Sequence, residues 1–153
     1  MKASFDQDYP ASVETLWQVF GNPEYPHKKY SALGISAYEV HRFETTGSRI
    51  SLDMTRTLSI PPDRIPSLVQ KFLHPEQDLR YVSSWNRVTP EHADFVLEII
   101  PKGLPLRVKA AGTLRQTGPN RSTMSLEFDV TANVPLLGGK IESLAAQQIE
   151  KSF

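Results

Sequence analysis

The sequence contains no cysteine, which removes disulfide scaffolds, thiolate nucleophiles and zinc-ribbon arrangements from consideration. Nor does one sign of charge prevail, because 17 Lys and Arg balance 17 Asp and Glu. Zero net charge takes away the attraction that dominates binding to polyphosphate, and no basic block restores it locally, so no nucleic-acid partner is expected. The start, Met1 to Pro10, lacks the apolar core of a secretory signal, and the longest strongly apolar run, Phe95 to Ile100, is interrupted by Glu98. No integral membrane segment is therefore expected, and a cytoplasmic location is. The four histidines, His27, His41, His74 and His92, stand far apart with no second histidine at three or four residues, so neither a metal site nor any other cofactor is expected. A G-x-S-x-G elbow, a P-loop and a G-x-G-x-x-G turn are all missing. Hydrolase, NTPase and dinucleotide readings have no anchor, and the sequence leans away from an enzyme.

What is present fits one domain. At 153 residues a chain buries roughly 68–70% of its unfolded surface and needs no staple, and no repeat or low-complexity segment divides it over 1–153. A short strand over 3–9 leads to Pro10-Ala11-Ser12, a turn with a helix cap. Val13, Leu16, Trp17 and Phe20 then recur at i, i+3, i+4 and i+7, one face of a helix. Gly21-Asn22-Pro23 breaks it, and a weaker helical stretch runs from Pro23 to Leu33, ending at Gly34.

From residue 35 the period changes to two, with strands expected near 35–45, 48–60, 78–89, 93–101, 105–117 and 121–134. Ile50, Leu52, Met54, Arg56 and Leu58 share one face of the third strand, while Ser51, Asp53, Thr55 and Thr57 share the other. Such alternation marks an antiparallel sheet covered on one side. In the last hairpin both apolar sets must face inward, which requires an odd loop; Gly118-Pro119-Asn120 supplies three residues. Leu114 then faces Met124, Gly112 faces Leu126, Ala110 faces Phe128, and Lys109 pairs with Asp129 outside. For the hairpin at Thr45 to Ser48 two registers compete. A three-residue loop sets Val40 against Leu52 and Tyr38 against Met54; a two-residue loop sets His41 against Leu52. The first is preferred because it buries apolar side chains. Ile65, Leu68, Val69 and Phe72 give an inserted helix over 64–73. After Val134-Pro135, Leu137, Ile141, Leu144, Ala145, Gln148 and Ile149 form the stripe of a terminal helix laid across the covered face.

This α+β order of strand, two short helices, six antiparallel strands and long terminal helix resembles the helix-grip fold of the START-like (SRPBCC) superfamily, which includes the major birch-pollen allergen and polyketide cyclases. The string Val134-Pro135-Leu136-Leu137-Gly138-Gly139-Lys140-Ile141-Glu142 is similar to the strand-to-helix junction of a bacterial, largely actinobacterial, START-like family of uncharacterised function. Arg56-Thr57-Leu58, Phe72-Leu73, Trp85 and Gly112-Thr113-Leu114-Arg115 are similar to it too. The resemblance implies a curved sheet of about seven strands around the C-terminal helix, with a cavity between them for a lipid, polyketide or other apolar or amphipathic small molecule. It carries over no catalytic residue.

Candidate ligand contacts are the inward side chains Met54, Tyr81, Trp85, Ala110, Met124, Leu126 and Phe128, any of which ordinary core packing would also explain. Arg56 stands out, since alternation puts a guanidinium on an apolar face; it must pair, reach the rim, or bind an acidic head group. Tyr81 and Ser83 share the parity of Trp85. His41, with Glu39, becomes a cavity base only in the two-residue register. Gly138-Gly139 is better explained by close packing than by an anion cradle, and Asn120-Arg121-Ser122 by a turn than by glycosylation. A cyclase- or isomerase-like enzyme using Arg56, Tyr81 or His41, and an interaction module with a filled core, are the alternatives to a binding protein.

Overall fold

A computed structural model describes the chain except for residues 66, 68, 69, 72–74, 135 and 153 and the side chains of residues 64 and 148–152. In chain order the elements are β1 (Lys2–Tyr9), α1 (Val13–Phe20), α2 (Tyr25–Ala32), β2 (Tyr38–Thr45) and β3 (Arg49–Ser59). A 3-10 turn, Pro62–Arg64, is followed by β4 (Glu76–Thr89), β5 (His92–Pro101), β6 (Leu106–Gly118), β7 (Arg121–Ala132) and α3 (Gly138–Ser152). The strands form one curved antiparallel sheet in the order β1-β7-β6-β5-β4-β3-β2, a START-like helix-grip arrangement. Much of the segment expected as an inserted helix, including Leu68, Val69 and Phe72, lies outside the described residues, as does His74. Among those described, the 3-10 turn ends where Ile65 returns to extended backbone.

The helix pair forms where local chemistry asks for it. Ser12 caps α1 by accepting a hydrogen bond from the Thr15 N–H at 3.2 Å, and Val13, Leu16, Trp17 and Phe20 are its buried face. Two bonds fix this helix over the last hairpin: Val13 N–H donates to Gln116 Oε1 and Ser122 Oγ donates to the Ala11 carbonyl. The second helix is shorter than expected, with its buried residues at Pro26 and Tyr30. Past its end Gly34 takes φ +70°, the left-handed conformation that glycine adopts without Cβ penalty.

Registers follow inward-facing parity. The last hairpin pairs Leu114 with Met124, Gly112 with Leu126, Ala110 with Phe128 and Lys109 with Asp129. Its loop differs from the expected three residues, because Gly118 pairs with Arg121 and a register shift falls between Gln116 and Gly118. A two-residue turn plus one bulged residue preserves the same parity as a three-residue loop. At the second hairpin neither expected register occurs: Val40 pairs with Met54 and Tyr38 with Arg56, whereas Phe43 pairs with Leu52 and Thr45 with Ile50. A bulge at His41 separates the two halves, so Val40 and Phe43, three residues apart, keep the apolar parity that no regular strand could give both.

On the inner face Met54, Leu114, Leu126 and Val130 are buried almost completely. The last helix sits against β7, burying Ile141 and Ala146. Leu144 and Ala145 are only half-buried, so the buried stripe is turned toward Ala146, and the side chains of Gln148 and Ile149 are outside the description. Glu142 ties the helix down by accepting from the Ala132 N–H at 3.0 Å. A Cβ on Gly138 would stand 2.7 Å from the Ala132 carbonyl oxygen, which accounts for that glycine by close packing; Gly139 meets nothing comparable. Among the described residues, no helix is long and apolar enough to cross a membrane.

Candidate functional site

Between the sheet and the helix pair lies a cavity of about 440 Å³. Phe20 ends α1 on its wall, α2 contributes Tyr25, Pro26 and Lys29, and Leu33 follows at the helix end. From the sheet come Phe5 and Tyr9 on β1, Phe43 on β2, Ile50 and Leu52 on β3, Trp85 on β4, Phe95 on β5 and Met124 on β7. The rings are coupled: Phe20 stacks on Trp85 with centroids 5.4 Å apart at 23°, Trp85 meets Phe95 at 4.4 Å, and Phe20 meets Tyr25 at 5.2 Å. Polar groups on the wall are few, chiefly Gln7, Ser83, Lys29 and the hydroxyls of Tyr9 and Tyr25. An apolar, aromatic cavity with a handful of polar groups is the usual make-up of a small-molecule site.

Burial sets the protonation chemistry. Desolvation, then the neighbouring Tyr9 and Tyr30, pushes the Tyr25 hydroxyl up to about 12, and burial raises Tyr9. Lys29 moves down, first by desolvation and then by the Arg56 charge.

Beside the cavity, under α2, Met54, Arg56 and Tyr81 gather around Tyr30. The Tyr30 hydroxyl donates to Met54 Sδ at 3.5 Å, and Met54 pairs with Tyr81 across the sheet. The Arg56 guanidinium lies 5.8 Å from the Tyr30 ring centre, with its Nε buried and lacking a hydrogen-bond partner. Burial raises Tyr30 and Tyr81, and Arg56 opposes both shifts.

Of the residues singled out in the sequence, Trp85 and Met124 are thus on the cavity wall, with Ser83 beside them. Met54, Arg56 and Tyr81 form the adjoining cluster, while Ala110, Leu126 and Phe128 are buried in the core along β6 and β7. His41 is not in the cavity: the bulge leaves it exposed, with Nε2 2.6 Å from Thr55 Oγ1, a residue of the outward set. Tyr25, Lys29 and Leu33 escaped sequence reasoning; the first two stand four residues apart on α2, and Leu33 caps its end. Phe5 and Tyr9 were readable from alternation in β1. Among the described residues no cluster of three metal-ligating side chains exists.

A larger depression, about 860 Å³, lies on the outer face of the sheet among charged side chains such as Arg42, Glu44, Asp53, Lys109 and Asp129. Of these charges Arg42 bridges Glu44 at 2.7 Å and Asp53 is bridged by Arg80 at 2.6 Å, and among the described residues no series of rings lines the depression. The smaller, ring-lined cavity is therefore the candidate site.

Comparison with solved structures agrees with the topology. The chain is similar to a START superfamily protein from Mycobacterium smegmatis, at 14% identity and a TM-score of 0.55 over 97% of this chain and 89% of that one. It is similar to the lipid transfer and protein localization domain of human StarD13, at 10% identity and 0.53, covering 87% of this chain and 64% of that one. It is similar also to an aromatase/cyclase from Streptomyces, at 8% identity and 0.50, covering 88% and 69%. Likeness at such identities speaks for the fold alone. No curated protein sequence matches the chain. A family model described as a protein of unknown function, DUF2505, matches residues 4–153, and the chain, START-like in fold, belongs to that family.

Proposed function

We propose that this protein binds a hydrophobic or amphipathic small molecule, lipid-like or polyketide-like, in the cavity beneath the helix pair. The observation that carries the reading is the cavity itself: about 440 Å³ bounded by Phe20, Tyr25, Trp85 and Phe95, in a sheet whose inner face elsewhere buries Met54, Leu114, Leu126 and Val130. A recess lined by rings and open to solvent leaves apolar surface in water, a cost that a bound apolar molecule relieves. The described lining of the cavity comes from α1, α2 and the sheet, whereas the expectation from sequence is a cavity between the sheet and the C-terminal helix. Among the residues named from sequence, Trp85 and Met124 supply contact surface, and Arg56 with Tyr81 supplies polarity beside it. Zero net charge supports the expectation that nucleic acid is not the partner.

Native mass spectrometry of the protein purified gently from its source cells tests this. A retained apolar molecule is expected, released by organic solvent, together with a rise in Tm on adding it back. Recovery of apo protein alone, with no thermal shift across a panel of lipids and polyketide-like compounds, overturns the reading.

A further inference from the structure

The cavity wall presents one cation to a surface otherwise built largely of rings. Lys29 reaches it from α2, half-buried, with its ammonium 5.9 Å from the Tyr30 ring centre. The Arg56 guanidinium approaches the same ring to 5.8 Å. Among the described residues no carboxylate forms an ion pair with either cation, and Arg56 Nε is buried without an acceptor. Like charges brought together away from water raise the energy of the empty protein, and the shift of Lys29 below its ordinary value by burial and by Arg56 records that cost. An anion at the Lys29 ammonium relieves it.

Shape narrows the class further. Tyr25, Phe20, Trp85 and Phe95 form a connected series of rings, a surface on which flat ligands gain from ring-to-ring geometry beyond the area they bury. At about 440 Å³ the cavity lies within the roughly 300–1,000 Å³ range of small-molecule pockets, room enough for one or two fused rings.

From these observations we infer that the cavity takes a planar aromatic carboxylate of one or two fused rings, its carboxylate on the Lys29 ammonium and its rings among Phe20, Tyr25 and Trp85. Arg56, behind Tyr30, reinforces the positive field. The inference rests on the cavity reading above and adds the chemical class of the guest and the identity of its anchor.

Calorimetric titration with three probes tests it: 2-naphthoate, the neutral isostere 2-naphthamide, and decanoate. The wild-type protein is expected to bind 2-naphthoate at least about tenfold more tightly than 2-naphthamide, the scale of a charge-assisted hydrogen bond, and more tightly than decanoate. Lys29→Met should erase the preference for acid over amide, and Lys29→Arg should restore it. If Lys29→Met fails to fold, the comparison of acid and amide on the wild type decides. Equal affinity for acid and amide, or a preference that survives Lys29→Met, overturns Lys29 as the anchor. Decanoate binding more tightly than 2-naphthoate overturns the aromatic class while leaving the cavity reading standing. Failure of all three probes to bind counts against the cavity reading as well.

Discussion

Phe20, the last residue of α1, lies nearly parallel to Trp85 of β4 with ring centroids 5.4 Å apart. This contact joins the helix pair to the middle of the sheet and is also part of the cavity wall, so packing and ligand binding draw on the same side chain. Phe20→Ala is expected to cost about 3–5 kcal/mol, toward the lower end because one side of the ring already faces open space. Urea unfolding followed by tryptophan fluorescence measures it; a cost under about 1 kcal/mol would mean the stack does not hold α1 in place.

Gly112 faces Leu126 across the last hairpin, and a Cβ added there would collide with the Ser125 carbonyl oxygen and the Leu126 side chain. Gly112→Ala should destabilise by about 1–3 kcal/mol or more. Adding Leu126→Ala removes the side-chain obstacle but not the backbone one. The double variant is accordingly expected to stay less stable than Leu126→Ala alone, which thermal unfolding of the four chains in a mutant cycle reads directly.

Acid should weaken the fold through a few identifiable carboxylates. Glu142 is held below its ordinary 4.5, first by the Ala132 N–H and then by the N-terminal ammonium. Asp53 is held below its ordinary value by Arg80, and Glu14 by Gln18 and then Arg87. A depressed folded-state pKa contributes stability that is fully present above the unfolded pKa and disappears as pH falls through the folded one. Unfolding midpoints should hold steady from about pH 6 to about pH 4.5 and then decline toward pH 3. Glu142→Gln, which retains an acceptor for Ala132, should flatten part of that decline; an unchanged profile would remove Glu142 from the list.

At the alkaline end Tyr25 gives a separate signature, since burial lifts its hydroxyl to about 12. A raised folded-state pKa stabilises below the unfolded value near 10 and ceases to do so as pH climbs through the folded one. Ultraviolet titration should show a late tyrosinate component that Tyr25→Phe deletes. Ionisation of all tyrosines together near 10, with the fold intact by circular dichroism, would contradict the burial of Tyr25.

Much of this architecture was legible because its signals are periodic. Alternation in β3, β6 and β7 sorted inward from outward residues, and the i, i+3, i+4, i+7 pattern fixed the buried face of α1. The register of β6 on β7 followed from parity together with the place of the Gly118-Pro119-Asn120 turn. Parity counts residues without saying where an extra one sits, which is why the bulges beside Thr117 and at His41 were not foreseen. Of the site, Trp85 and Met124 were readable as inward residues that the structure places on the cavity wall. Lys29 was not, because the short α2 has a weak apolar pattern, and the meaning of a lysine there depends on Arg56 from a strand about thirty residues onward in a chain whose contacts are mostly long-range.

The bulge in β2 matters beyond the placement of Val40 and Phe43. The second strand is an outer margin of the sheet, where a straight row of free amides and carbonyls would invite a stray chain to add itself as an eighth strand. An interrupted ladder carrying Glu39, His41, Arg42 and Glu44 in solvent is a poor template for such growth. The irregularity that defeats simple register counting thereby also guards the protein against fibrillar self-association, and a sheet so protected can stay open along that side without being sealed into a barrel.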